Sequence, residues 1–452
     1  MTMIWERLIS DKRYGKEDRH ETRREMRTQF QRDYDRLIFS APFRRLQNKT
    51  QVFPLPGSIF VHNRLTHSLE VSSVGRSLGN DSARALIGRH PEVPRSVFEP
   101  FGAIVSAACL AHDLGNPPFG HSGERAIISY FKEGQGARLR EYAAPDGDRL
   151  TEAQWNDIIH FDGNANAFRL LTHQFAGRRR GGFVMTYSTL AAIVKYPYAS
   201  SLARKKAKFG FFESEKDAYL RIATELGIPG KEVEPGLYAY ARHPLVYLVE
   251  AADDICYEVM DIEDAHKLRL LSDSQTKALL LAFFDTGTQE RITREFTEVT
   301  DVNEQIVYLR SCVINALEQA CAAVFVDHEE AILAGTFEGS LIDHLPRHLL
   351  KAYRACEDVA RQHIYACKDV VDIDLAGYRI IYTLLELMME AMLSPDKAYS
   401  KLLISRVSKQ YQLDAPRLYD RVMAVLDYIS GMTDVYALDL YRKINGNSLP
   451  MV

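Results

Sequence analysis

From residue 64 onward the apolar positions of this chain recur at near-helical spacing. Leu65, Leu69, Val74 and Leu78 predict one amphipathic helix. Residues 101–112 form a nearly continuous apolar stretch, the length of a buried helix and too short to span a bilayer. Further helices are predicted over 245–266, 303–326, 346–368, 377–393 and 416–430. Residues 133–163 and 176–183 are polar or rich in Gly and Arg, and read as loops. Two short β-prone runs flank Pro54-Leu55-Pro56-Gly57, a strong turn signal, and predict a small β-hairpin over 50–62. Strands do not alternate with helices, which argues against a Rossmann-type sheet. The expected fold is all-α with that one hairpin.

Residues 1–49 break the pattern. Arg13, Arg19, Arg23, Arg24, Arg27, Arg32, Arg36, Arg44 and Arg45 are interleaved with acids and a few aromatics. They read as a solvated helical arm, with a clamp for phosphates or a neighbouring subunit as the functional alternative. The expected organisation is an arm over 1–49, a core over 50–270, and a C-terminal helical region over 271–452 that packs on the core.

Composition narrows the class. Of 452 residues, 46% are hydrophobic and 26% charged, an ordinary globular balance with length for a large core. Sixty acidic against 56 basic residues give a net charge of -4, hence no overall electrostatic footprint for nucleic acid, though a local basic patch stays open. Six cysteines form no C-x-x-C pair and read as buried thiols in a reducing compartment. The first residues lack the apolar segment of a signal peptide, and no apolar run reaches the ~20 residues of a membrane span. A cytoplasmic protein without a membrane partner is expected.

Three constellations could carry chemistry. In His112-Asp113-Leu114-Gly115-Asn116-Pro117-Pro118-Phe119-Gly120-His121-Ser122-Gly123-Glu124, an imidazole and a carboxylate end a buried helix, and a second His and a Glu open the next. A lone His-Asp is usually a structural pair. Four ionisable groups on one Gly/Pro-shaped turn favour a site, because burying them unpaired is costly. His67 starts an amphipathic helix with Arg64 three residues earlier, so both can face one cavity; alone, His67 would read as a capping or core histidine. Asp253, Tyr257 and Asp261 fall at i, i+4 and i+8 on an otherwise apolar helix. Asp253 there needs either a metal or a buried salt bridge.

Together His67, His112, Asp113 and Asp253 offer two imidazoles and two carboxylates. That set suits Mn²⁺, Fe²⁺, Co²⁺ or Zn²⁺, and Mg²⁺ less naturally. His121 with Glu124 makes a proton-transfer pair, since a carboxylate can orient an imidazole that titrates near neutrality.

These residues resemble the HD-domain deoxynucleoside triphosphate triphosphohydrolases, the bacterial dGTPase-like proteins. The likeness runs along most of the chain. It includes Gln31-Arg32-Asp33-Tyr34-Asp35-Arg36, the segment Phe43 to Phe53, Arg64-Leu65-Thr66-His67-Ser68-Leu69-Glu70 and the His112-to-Glu124 segment. It continues in Phe161-Asp162-Gly163-Asn164-Ala165, Leu190 to Pro197, Glu250 to Ile255 and Asp427 to Asp434. The resemblance implies a mostly helical HD-domain fold and hydrolysis of dNTPs, with dGTP the candidate preferred substrate, to deoxynucleoside and inorganic triphosphate. It also implies a homo-oligomer, often a hexamer. Carried over, the metal ligands are His67, His112, Asp113 and Asp253, and the catalytic pair is His121 with Glu124. Arg64 matches a phosphate contact, and Gln51 and Val52 match residues lining sugar and base. Tyr257 and Asp261 match the pair that recognises the sugar, with Asp261 on the 3′-hydroxyl. Lys195 and Tyr196 match a phosphate-and-sugar contact; Asn164, Lys208 and Lys216 are further candidates. Mn²⁺ or Mg²⁺ is the ion expected first, and a nucleotide effector and single-stranded DNA are further expected partners.

Two other readings compete. One keeps the HD site for a 5′-nucleotidase or phosphodiesterase; Tyr257, Asp261, Lys195 and Tyr196 argue against it, because a monophosphate needs fewer cationic contacts. The other is a nucleic-acid-binding protein with a regulatory site, which the basic arm and Arg178-Arg179-Arg180 allow.

Overall fold

The computed structural model describes residues 2–18, 27–53, 61–205 and 208–448. Helices dominate. Among the described residues there is one sheet, a two-stranded antiparallel pair of Gly230–Glu234 with Leu237–Tyr240. The centre of the hairpin expected over 50–62 lies outside the described residues; at its ends, Thr50 and Asn63 form an isolated antiparallel bridge.

Local chemistry sets where the main helices begin and end. Asn63 caps the helix Arg64–Arg89: its side chain accepts from the Thr66 amide, and its own amide donates to the Thr66 hydroxyl. That cap fixes His67 in the first turn. Val71, Val74, Leu78 and Leu86 are buried on this helix, while Leu69 is exposed, so the inward face is rotated from the one its leucines predict. The apolar stretch becomes Phe101–Ala111, buried along almost its whole length. Helices Arg64–Arg89, Phe101–Ala111, Leu245–Lys267 and Val302–Asp327 pack together as the central layer.

Val302–Asp327 is the one helix among the described residues long and apolar enough to cross a membrane. It packs Leu309, Val313, Leu317 and Phe325 into the core and leaves Ser311, Asn315 and Gln319 exposed.

Three expectations change. The stretch 133–163 is not all loop. It contains a 3-10 turn at Gln135–Arg140 and a helix at Glu152–Ile159, started by a Thr151/Gln154 capping box and anchored by buried Trp155 and Ile158. The helix expected over 346–368 divides into Arg347–Val359, a π-turn at Ala360–Ile364, and the start of Lys368–Leu393, which also takes in 377–393. The third change concerns the N-terminal residues, where the described part of 1–49 is no solvated arm. Met3, Trp5, Leu8, Phe30, Leu37, Phe43 and Leu46 are buried. Arg13 pairs with fully buried Asp33 at 2.7 Å and donates to the Val184 carbonyl, while Arg36 donates to the Phe183 carbonyl. These charges dock the segment onto 183–186. Arg19, Arg23 and Arg24 lie outside the described residues.

Two apolar clusters fill the interior. One draws on residues from Met3 to Ile364, the other on residues from Ala126 to Leu440. The turn after Phe101–Ala111 crosses between them: Leu114 belongs to the first and Ala126 to the second. Buried Arg169 adds an ionic tie, meeting Asp427 through Nε at 2.9 Å and Nη2 at 2.8 Å, and Glu215 at 2.7 Å. Breaking such a buried group typically costs about 3–5 kcal/mol, because unpaired charge remains.

Candidate functional site

A cavity of about 590 Å³ opens where the Arg64–Arg89, Gly120–Lys132, Leu245–Lys267 and Lys368–Leu393 helices meet. That volume is in the range of small-molecule sites. His112 and Asp253 line the cavity, and their nitrogen and oxygen donors lie within 4.8 Å of each other and of a ring nitrogen of buried His67. His67 Nε2 is 3.0 Å and His112 Nε2 is 3.4 Å from Asp253 Oδ1. His112 Nδ1 donates to the Cys109 carbonyl at 2.6 Å, which turns Nε2 toward the carboxylates.

Asp113 stands beside this group. Its Oδ1 is 3.6 Å from His112 Nε2 and accepts from the Asn116 amide, and its Oδ2 accepts from Arg64 Nη1 at 2.7 Å. Burial alone would raise the Asp253 carboxyl, but His112 and His67 hold it well below the usual carboxylate range. Burial likewise opposes charge on His112, yet Asp113 and Asp253 push it up to about 9. The pair of carboxylates favours positive charge at this point, which a proton or a divalent cation can supply. Two imidazoles and two carboxylates without a thiolate fit a borderline or hard divalent ion.

The second constellation flanks the first. His121 Nδ1 is 2.8 Å from Glu124 Oε2, and the imidazole is 72% exposed to the cavity while the Glu124 side chain is 8% exposed. Glu124 Oε1 accepts from the Gly163 amide at 2.7 Å, at the N-terminus of the helix Gly163–Thr172. Burial would raise Glu124, but His121, Lys208 and the Gly163 amide keep it below its ordinary value. The turn that delivers His121 is constrained. Phe119 has φ 61° and Gly120 φ 53°, a left-handed pair. For a non-glycine such as Phe119 this costs on the order of 1–3 kcal/mol. A Cβ on Gly120 would also lie 2.5 Å from Arg64 Nη2, so glycine leaves room for the guanidinium.

Most of the other expected residues meet in the same cavity. Gln51, Val52, Arg64, Asn164, Lys195, Tyr196 and Tyr257 line it, as does Lys208. Lys195 Nζ lies 3.0 Å from Glu250 Oε1, and Lys208 Nζ lies 3.8 Å from both Glu124 and Asp162. Asn164 donates to Asp162 Oδ1 at 2.8 Å. Asp261 does not line the cavity. Its carboxyl is buried, is pushed up to about 7 by that burial, and accepts from the Tyr365 hydroxyl at 2.7 Å. Lys216 also lies away, 3.4 Å from Glu213 near the surface.

Several lining residues escaped the sequence reading. Tyr365 follows the π-turn, with its ring centroid 6.3 Å from that of Tyr257. Asn116 sits inside the motif itself, and its acceptor Asp113 three residues earlier was the available signal. Glu250 is the partner of Lys195, and its place seven residues before Tyr257 on one helix was the only hint. Arg125, Val370, Ile373 and Asp374 complete the mouth.

Comparison with known proteins places the chain in a family. Residues 64–156 match the HD domain, and residues 344–443 match the phosphohydrolase-associated domain. The chain is 38% identical to a deoxyguanosinetriphosphate triphosphohydrolase-like protein of Pseudomonas aeruginosa (strain LESB58) over 463 residues, covering 99% of this chain and 100% of that protein. Proteins of the same description from Synechocystis sp. (39% over 461 residues) and Listeria monocytogenes (33% over 481 residues) are likewise covered over 100% of their length, and 99% of this chain.

Proposed function

The chain belongs to the HD-domain family of deoxyguanosinetriphosphate triphosphohydrolase-like proteins, and from that premise we propose that it hydrolyses deoxynucleoside triphosphates to deoxynucleoside and inorganic triphosphate. The observation that carries this reading is one cavity lined by His112 and Asp253, which group with buried His67, by the His121–Glu124 pair, and by the cationic side chains of Arg64, Lys195 and Lys208. Each of these cations is paired with a carboxylate, Arg64 with Asp113, Lys195 with Glu250 and Lys208 with Glu124, and in this reading they exchange those partners for the oxygens of a triphosphate.

His67, His112, Asp253 and, with a small shift of its carboxylate, Asp113 would hold a divalent ion, Mn²⁺ or Mg²⁺ first. When bound, such an ion supplies Lewis-acid polarisation of a phosphoryl oxygen and makes water a better nucleophile. Water attacks the α-phosphorus, the bond from phosphorus to O5′ breaks, and triphosphate departs with the oxygen of water. His121 delivers the proton that O5′ needs, and Glu124 holds the imidazole in position and stabilises its charged form. Arg64 and the two lysines neutralise the triphosphate. The Tyr257 ring packs on the deoxyribose, where a 2′-hydroxyl would clash. Gln51 and Val52 form the wall against the base. Asp261 acts on the sugar through, or in exchange with, the Tyr365 hydroxyl.

Chromatographic analysis of products from each of the four dNTPs, alone and in mixtures, with Mn²⁺ or Mg²⁺ added, tests the reading. Intact triphosphate with an equal amount of deoxynucleoside is the expected result. Release of only pyrophosphate or orthophosphate from every dNTP and mixture would sink it.

A further inference from the structure

The turn that carries the catalytic pair is held by side chains from far along the chain. Lys49 Nζ donates to the Asn116 carbonyl at 2.6 Å and to the Ser430 carbonyl at 2.9 Å. Asn166 Nδ2 donates to the Gly115 carbonyl at 2.7 Å and to the Ser430 hydroxyl at 3.2 Å. The last tie is Asp434, buried at the start of the helix Asp434–Ile444. Its Oδ1 accepts from the Phe119 amide at 2.9 Å, and its Oδ2 accepts from the Thr50 amide at 2.7 Å and the Thr50 hydroxyl at 2.6 Å.

These three bonds join two walls of the cavity. Phe119 is the left-handed residue two places before His121, and Thr50 is the residue before Gln51. Only a carboxylate suits the position, because all three neighbours donate and an amide would turn its own N–H₂ toward one of them. Phe119 also packs closely on Gly377, where a Cβ would lie 2.5 Å from Phe119 Cβ.

We propose that Asp434 is a positioning residue, which fixes the turn bearing His121 and Glu124 at a set offset from the Thr50–Val52 wall. The proposal rests on the dNTP reading above for its kinetic part. Its geometric part is independent of that reading. Misplacing reacting groups by about 1 Å can cost roughly a hundredfold in rate, so a residue with no contact to substrate can still govern kcat.

The test compares Asp434→Asn, Thr50→Val, Thr50→Ser and the Asp434→Asn/Thr50→Val double variant with the wild type. Thr50→Val removes one of the three bonds and leaves the fold least disturbed. Amide hydrogen exchange at Phe119 is expected to quicken by at least about tenfold in Asp434→Asn, whatever the enzyme acts on. For the dNTP that the wild type hydrolyses, kcat per folded molecule is expected to fall about 10–100-fold in Asp434→Asn and less in Thr50→Val. Thr50→Ser should match the wild type, and the double variant should lose no more than Asp434→Asn alone, since both remove one interaction. Mn²⁺ affinity by calorimetry should stay within about threefold, because no proposed ligand is bonded to Asp434. Unchanged Phe119 exchange, or wild-type kcat in both Asp434→Asn and Thr50→Val, overturns the proposal. A wild type that cleaves no dNTP overturns the dNTP reading instead, and the exchange data still decide the role of Asp434.

Discussion

Glu124 reaches His121 at 2.8 Å from a buried position, while the imidazole itself stands mostly open to the cavity. One partner is fixed by the protein and the other is presented to whatever the cavity binds. That asymmetry suits a proton donor held by an anchored carboxylate, and it is unlike a surface ion pair, in which both groups move. His121→Ala and Glu124→Gln should each lower kcat by about 10²–10⁴-fold with KM changed only a few fold. Steady-state kinetics on the preferred dNTP decide it; a loss confined to KM would move the pair from catalysis to binding.

The ligand group makes a prediction that needs no substrate. Added Mn²⁺ should raise the Tm of the wild type, since an ion binding only the folded state at about a hundred times its Kd adds about 2.7 kcal/mol. Asp253→Asn removes the carboxylate whose Oδ1 lies near both imidazoles, and should abolish the rise. Exhaustive chelation should remove the wild-type activity, and readdition of Mn²⁺ should restore it. A Tm that responds equally in Asp253→Asn would place the ion elsewhere.

How much of this was legible depends on how far apart the partners lie. His112, Asp113, His121 and Glu124 share one short turn, so local chemistry brings them together. His67 was legible because Asn63 and Thr66 fix the first turn of its helix. The helices expected over 101–112 and 245–266 lie at Phe101–Ala111 and Leu245–Lys267, because apolar spacing is local, whereas the helix read from 64 onward had no predicted end. The helix Glu152–Ile159 had a start signal in Thr151 and Gln154, but its polar flanks hid it. The roles of Tyr365 and Asp434 were not legible, although Asp434 ends one of the segments that carry the family resemblance. Tyr365 meets a carboxylate 104 positions away, and Asp434 meets an amide 315 positions away. Nothing in a local pattern encodes such pairings. The buried charges of the first 49 residues misled for a similar reason: Asp33 reads as solvated until its partners Arg13 and Thr186 are known.

Tyr365 also carries a prediction. Its hydroxyl donates to Asp261, which lies outside the cavity lining, so the role in sugar recognition proposed for Asp261 would run through that bond. Tyr365→Phe keeps the ring beside Tyr257 and loses the donor. Both Tyr365→Phe and Asp261→Ala should raise KM for dNTPs by about 2–10-fold, the worth of one hydrogen bond, and leave kcat within about twofold. Their effects should not add, since each breaks the same contact. An unchanged KM in both variants would remove the pair from sugar recognition.

His62 links the fold's stability to pH. Its Nε2 lies 3.1 Å from Glu70 Oε1 and its Nδ1 lies 2.8 Å from Asp264 Oδ1. Burial opposes protonation, but hydrogen bonds to Asp264 and Glu70 outweigh it and push the imidazole up from 6.5 to about 10. A base whose pKa rises on folding stabilises the folded state in its protonated form. Its contribution is complete below pH 6.5, where the imidazole is charged in both states, and is lost as pH climbs from 6.5 through about 10. Urea unfolding at pH 6, 8 and 10 should therefore show falling stability in the wild type. His62→Gln cannot titrate, so it should be less stable than the wild type at pH 6 and should decline less steeply across that interval. Equal slopes in the two proteins would mean that other groups set the alkaline decline.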